Sequence, residues 1–308
     1  MRHYLYLFSR SSAVNKPIVS TQSVKPVVPL AVTDHRRDIL GFTYVYPVIS
    51  RRAGGVSVGI NLNTNNACNW RCVYCQVPDL VRGNAPEADL SVLRAELDAM
   101  LASIVEGDFL QQNVPEVARR LNDIALSGNG EPTASRQFAE TIALAGELIH
   151  QYGLLGKIKL VLITNGSQLY KPAVQAAVAA MAELNGEVWF KLDRAPIEGY
   201  SAVNQVALSS EQVRKHLKAA SERCATWVQT CMFGMDGALP SESEVVAYLD
   251  LLKTAMQAGA SPKGVLLYGL ARPSLQPEAP RLFRAPEEWM QALAARISAL
   301  GLEVKLSV

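Results

Sequence analysis

A chain of 308 residues, 49% hydrophobic and 19% charged, has the length for one large α/β domain with an extension, and ample apolar mass for its core. The formal net charge of +2 divides into +6 over residues 1–52 and −4 over the rest, so the body lacks the basic excess of a nucleic-acid binder. No run of about 18 apolar residues occurs, and the five cysteines are odd in number with three clustered, which argues against a helical membrane span and a disulfide framework.

Residues 1–33 contain no acidic residue and several Ser, a composition compatible with an organelle transit peptide. The simpler reading, adopted here, is a poorly ordered terminus on a cytoplasmic protein. Phe42–Ile49 is β-rich, and Pro47 marks it as an edge or irregular strand. Val56–Leu62 reads as the first strand of the main domain, and a cysteine-bearing loop follows it directly. Leu90, Leu93, Leu97, Leu101 and Ile104 keep a helical spacing, which predicts an amphipathic helix from Asp89 to about Glu106.

Strands and helices then alternate. Strands are predicted at Asp123–Ser127, Lys157–Thr164, Glu187–Leu192, Ala225–Cys231 and Val265–Leu270. Between them fall helices over about 135–152, from Pro172 to Asn185-Gly186, and after the capping boxes Ser209-x-x-Gln212 and Ser241-x-x-Glu244. A last helix runs from Pro286 to Leu300, and Glu303–Val308 is expected as an edge strand. Six strand–helix units imply an α/β fold with a parallel sheet: a partial (β/α)6 TIM-like barrel over residues 55–308, open on one side. Residues 1–54 form a basic N-terminal extension with an extra strand near 42–49.

The stretch Asn65 to Gln76, N-N-A-C-N-W-R-C-V-Y-C-Q, carries the strongest chemical signal. Cys68, Cys72 and Cys75 form C-x3-C-x2-C, and thiolates packed this closely suit a soft metal centre. A cubane has four irons, so three thiolates leave one iron free for a non-protein ligand. A structural zinc site wants four ligands, and the nearest histidines, His35 and His150, are remote in sequence.

With Tyr74 just before the third Cys, the motif resembles the hallmark of the radical S-adenosylmethionine (SAM) superfamily. The wider stretch from Gly59 to Gln76 is most similar to the branch that contains the tRNA wybutosine-synthesising radical enzymes and uncharacterised iron–sulfur relatives. The resemblance implies one 4Fe-4S cluster whose unique iron chelates SAM. It further implies an external one-electron reductant, flavodoxin- or ferredoxin-like, and cleavage of SAM to a 5′-deoxyadenosyl radical that abstracts hydrogen from a substrate. No protein side chain is assigned as catalytic, since the cluster-bound SAM carries the chemistry. No recognition motif selects among a tRNA base, a protein and a small molecule as substrate.

Ser127-Gly-Asn-Gly-Glu-Pro-Thr133 follows the next strand and resembles a G-N-G-E variant of the family's G-G-E motif. By that match Gly128, Asn129, Gly130 and Glu131 hold the methionine part of SAM, with Glu131 as an acceptor for its ammonium. Asn165 ends the following strand in Thr164-Asn165-Gly166, where a polar side chain can face a ligand. Lys191 and Asp193 end W-F-K-L-D-R, and the family uses polar residues here for ribose or carboxylate. Gln229 has the same status, Tyr268 stands where the family contacts adenine, and Tyr74 matches its aromatic position near adenine. Arg272 is read either as an anion contact or as a solvated cation, and Trp70 as packing. Cys224 and Cys231 are read as structural, so no second cluster is expected. The reading from another class is a non-catalytic iron–sulfur or zinc protein on a barrel scaffold.

Overall fold

The computed structural model describes residues 30, 41–50, 54–195 and 197–307. Most of the basic extension, including Arg36, Arg37, Arg51 and Arg52, lies outside the described residues, together with the terminal readings placed on it.

Alternating apolar side chains in short β-rich runs produce eight strands of one sheet: β1 (Val45–Ser50), β2 (Gly55–Ile60), β3 (Leu121–Leu126), β4 (Lys159–Thr164), β5 (Gly186–Lys191), β6 (Ala225–Cys231), β7 (Gly264–Tyr268) and β8 (Glu303–Ser307). Their order across the sheet is their order along the chain. β2 to β8 run parallel, and β1 lies antiparallel to β2 with Pro47 opposite Val58. Pro47 is accommodated because β1 is an edge, where a missing N–H breaks no second ladder. β1 and β8 are the two ends of the sheet, and among the described residues they do not pair. The barrel is therefore partial, as the strand count predicts.

Each connection between successive parallel strands carries one long helix: α1 (Leu90–Val105), α2 (Phe138–Gln151), α3 (Pro172–Ala182), α4 (Ser210–Ser221), α5 (Glu242–Gln257) and α6 (Glu287–Ser298). Asp89 caps α1 by accepting from the backbone of Ser91 and Val92, and both predicted capping boxes form. α2 begins at Phe138 rather than Ser135, because Pro132–Ala134 takes a separate short turn after the Gly-Asn-Gly-Glu loop. A short helix over Phe109–Asn113 and an antiparallel pairing of Phe233–Met235 with Leu282–Arg284 were not anticipated.

Strand alternation divides the sheet into two faces. Val56, Val58, Ile60, Ile124, Leu126, Leu160, Leu162, Val188, Val228, Val265 and Leu267 are buried in one core with the helix residues Leu93, Leu97, Leu148, Leu217 and Leu252. Each such side chain taken from water contributes about 1.5–3 kcal/mol before entropy is subtracted. The opposite, concave face carries Ser57, Asp123, Trp189, Lys191 and Gln229, which line a cavity instead. Packing thus consumes one face and leaves the polar one for a ligand.

Candidate functional site

The loop after β2 is shaped by its asparagines. Asn61 Oδ1 accepts from the backbone N–H groups of Asn63 and Asn129, and Asn63 Nδ2 donates to the Ala67 carbonyl at 2.8 Å. Asn66 adopts a left-handed φ of 55°, a conformation asparagine tolerates better than most residues. These local turns bring Cys68 over the barrel mouth. Ala67–Cys68 pairs with Val81–Arg82, closing the loop at its base, and Cys75 N donates to Cys72 O at 3.0 Å.

Remote segments hold the loop from outside. Val73 N and Arg71 N donate to the carbonyls of Val203 and Asn204. Ser274 Oγ donates to Val73 O, Leu275 N to Cys75 O and Gln276 Nε2 to Val77 O. Arg71 also pairs with Glu278 at 3.1 Å. The three cysteines, each half-buried, line one cavity of about 570 Å³. Burial pushes the Cys68 thiol up to about 11 and the Cys72 thiol up to about 12, so both are protonated near neutral pH until a metal displaces the proton. Among the described residues no three His, Cys, Asp or Glu side chains converge on a single ion. A cubane spreads its thiolates over separate irons, so it asks for cysteines around a space rather than around a point.

The Gly-Asn-Gly-Glu loop lies against the start of the cysteine loop. A Cβ at Gly130 would stand 2.2 Å from the Ala67 carbonyl oxygen, and one at Gly128 2.3 Å from Asn61 Oδ1, so only glycine permits this approach. Asn129 Nδ2 donates to Asn66 Oδ1, while Asn129 Oδ1 is buried and has no partner. Glu131 is 2% exposed, and its carboxylate accepts from Thr133 N, Thr133 Oγ1, Thr164 Oγ1 and Asn165 N. Burial raises its carboxyl above the ordinary value, opposed by those donors. Glu131 therefore holds β4 to the loop. Asn129, which the resemblance places with Glu131 in orienting SAM, keeps its buried Oδ1 without a partner.

Asn165 Nδ2 donates to Asn69 Oδ1 at 2.9 Å, joining the end of β4 to the cysteine loop. At the end of β5, Lys191 Nζ donates to Tyr74 OH, which donates to Asp193 Oδ2 at 2.6 Å. Burial works to lower the Lys191 pKa, but Asp193 together with Tyr268, Cys72 and Cys231 outweighs it, so the net shift is upward and the ammonium stays charged. Asp193 is 0% exposed and also accepts from Asn204 Nδ2 at 2.8 Å and Cys231 N at 2.9 Å.

Every predicted site residue except Asp193 lines the cavity: Cys68, Cys72, Tyr74, Cys75, Gly128, Asn129, Gly130, Glu131, Asn165, Lys191, Gln229 and Tyr268. Trp70, Arg272 and Cys231 line it too, so Cys231 is a wall residue as well as a packed one; Cys224 does not line it. The sequence reading missed Asn204, whose side chain reaches Cys72, because no local pattern links residues so far apart in the chain. It also missed the Thr133 and Thr164 hydroxyls on Glu131.

No model of a protein family matches the chain. A UPF0026 protein of Helicobacter pylori (strain J99) is 26% identical over 160 residues, covering 52% of this chain and 45% of that protein. The chain thus matches less than half the length of this curated relative. The solved structure of TYW1 with a lysine-pyruvate adduct bound superposes with a TM-score of 0.54 at 15% identity, covering 82% of this chain and 74% of that one. A radical SAM methyltransferase from Sphaerobacter thermophilus gives 0.53 at 14% identity, covering 85% and 68%. At these identities the likeness shows the fold: this chain has the partial barrel found in those radical SAM structures. Among the described residues no helix is long and apolar enough to cross a membrane.

Proposed function

We propose that this chain is a radical SAM enzyme, with Cys68, Cys72 and Cys75 holding one 4Fe-4S cluster and SAM lying beside it in the cavity. The observation that carries the reading is convergence. Three cysteines from the loop after β2 and the Gly-Asn-Gly-Glu loop after β3 line a single cavity with polar residues from the ends of β4, β5 and β6. In parallel barrels, chemistry gathers at those carboxyl ends.

The residues fit the group. Asn129 Oδ1, buried and unpartnered, is an acceptor waiting for a donor such as the SAM ammonium. Lys191 offers positive charge in the same cavity, and Gln229 and Tyr268, which also line it, would serve as contacts for the ribose and adenine. Glu131 and Asp193 act at one remove: the first fixes the Gly-Asn-Gly-Glu loop, and the second fixes Tyr74 and Asn204. Cys68, Cys72 and Cys75 would hold the cluster, which, with a flavodoxin- or ferredoxin-like donor, would supply the electron for reductive cleavage of SAM. Tyr46, Ser57, Asp123, Trp189 and Ser307 line the same cavity and would be available to a substrate bound there.

The test is anaerobic reconstitution, dithionite reduction and addition of SAM, with EPR and 5′-deoxyadenosine release followed together. A reduced-cluster signal that shifts with SAM, with deoxyadenosine formed, is expected. Cys72→Ala should release none. A cluster indifferent to SAM, zinc in its place, or full release by Cys72→Ala would overturn the assignment in favour of a non-catalytic metal protein.

A further inference from the structure

We propose that Asn204 sets the reduction potential of the cluster by donating a hydrogen bond from its side chain to the Cys72 thiolate. The inference rests on the reading that Cys68, Cys72 and Cys75 hold a cluster.

Asn204 is 0% exposed, and its Nδ2 stands 3.3 Å from Cys72 Sγ and 2.8 Å from Asp193 Oδ2. An amide nitrogen has two protons, and here it meets two acceptors. The reversed amide would press its oxygen against a carboxylate and a sulfur, so the partners fix its orientation. The amide oxygen is left buried without a partner, a cost accepted to aim the nitrogen at the sulfur.

The backbone around it is built to hold that aim. Tyr200–Asn204 is a five-residue π-helical turn, a form that gathers at functional sites, and Gln205 follows in a left-handed φ of 54°. Val203 O and Asn204 O accept from Val73 N and Arg71 N, so Asn204 is stitched to the cysteine loop on both sides of Cys72. Arg71 Nη1 in turn holds the Gln205 side chain at 2.9 Å. Cys68 takes its donor from the backbone of Trp70, whereas Cys72 takes one from a side chain that can be replaced.

Adding an electron makes the cluster and its sulfurs more negative. A donor on the Cys72 sulfur favours that reduced state and raises the potential, hydrogen bonding to the sulfurs being one of the levers on iron–sulfur couples. The same amide also donates to the buried Asp193 carboxylate, so Asp193 holds the donor in place against the Cys72 sulfur.

The experiment is an EPR-monitored redox titration of the reconstituted full-length chain without SAM, comparing the native protein with Asn204→Leu, which keeps the shape and removes the donor. Asn204→Ala removes the donor without filling the site. Equal iron content and a couple shifted to more negative potential are expected in both. Pulsed EPR on native protein carrying ¹⁵N in asparagine side chains should detect nitrogen coupling to the reduced cluster, and Asn204→Leu should lose it. An unmoved potential in a variant with full iron content would overturn the proposal. If neither variant assembles a cluster, absence of side-chain nitrogen coupling in the native protein overturns it, and its presence supports it. A native chain that assembles no cluster at all would instead fail the reading beneath it.

Discussion

Glu131 and Asn129, two residues apart, show how much a side chain's role depends on what the fold brings to it. The sequence marks Glu131 as the charged member of its motif and therefore as the expected acceptor for a ligand cation. The fold sets Thr164 and Asn165, from the next strand's end, against its carboxylate, and Thr133 supplies two further donors. A buried carboxylate with four donors is a structural tie, and removing it orphans all four. Glu131→Ala is expected to cost about 3–5 kcal/mol, from roughly 1–3 kcal/mol per buried group left unsatisfied with partial relaxation. Glu131→Gln should cost about half as much, since its amide oxygen still accepts while its nitrogen faces donors. Denaturant midpoints of the cluster-free protein read the difference; equal stability of all three proteins would show that the donors find other partners. The cysteines were legible because their spacing is local. The contact of Thr164 with Glu131 and that of Asn204 with Cys72 were not, because they join residues 33 and 132 positions apart.

At the scale of elements, the six helix–strand units were legible from periodicity, capping and turn residues, and their boundaries moved by only a few positions. What escaped was aperiodic: the π-helical turn at Tyr200–Asn204 and the pairing of Phe233–Met235 with Leu282–Arg284, whose register is set by tertiary contacts. The attachment of β1 was equally hidden, since Glu96 on α1 turns inward to accept from the backbone of Thr43, Tyr44 and Val45. α1 itself is anchored at its start by Asp89, whose carboxyl is held below its ordinary value by hydrogen bonds from Ser91 and Val92. A depressed carboxyl binds its proton less readily in the folded state. Its contribution is thus present above the unfolded value of 3.8 and lost as pH falls through the lower folded value. Thermal melts from pH 6 to pH 2.5 should therefore show native protein and Asp89→Ala drawing together in acid, with the native more stable at pH 6. Parallel curves throughout would show that the cap carries no charge-dependent stability.

Across the whole molecule two kinds of contact are separated. The sheet is wound in chain order, so each strand pairs with the strands next to it in sequence. The site is the opposite: the cysteine loop is held by Asn165, Asn204, Ser274, Gln276 and Glu278, with Arg71 and Glu278 207 residues apart. Fold and site therefore need not be equally firm. Without a cluster, Cys68 and Cys72 are protonated thiols, and hydrogen bonds, the Arg71–Glu278 ion pair and the small Val73–Val203 apolar cluster hold the segments 197–205 and 272–281 against the loop. A cluster bound by three thiolates ties the loop's centre in place, and anything bound only by the folded site stabilises it by mass action, about 4 kcal/mol at a thousandfold excess over Kd. Anaerobic reconstitution should therefore raise Tm by several degrees. In hydrogen exchange the amides of 68–77, 197–205 and 272–281 should slow far more than those of β3 and β4, which the core already protects. Slowing spread evenly over the barrel would mean that site and sheet open together, and the separation argued from the contact pattern would fail.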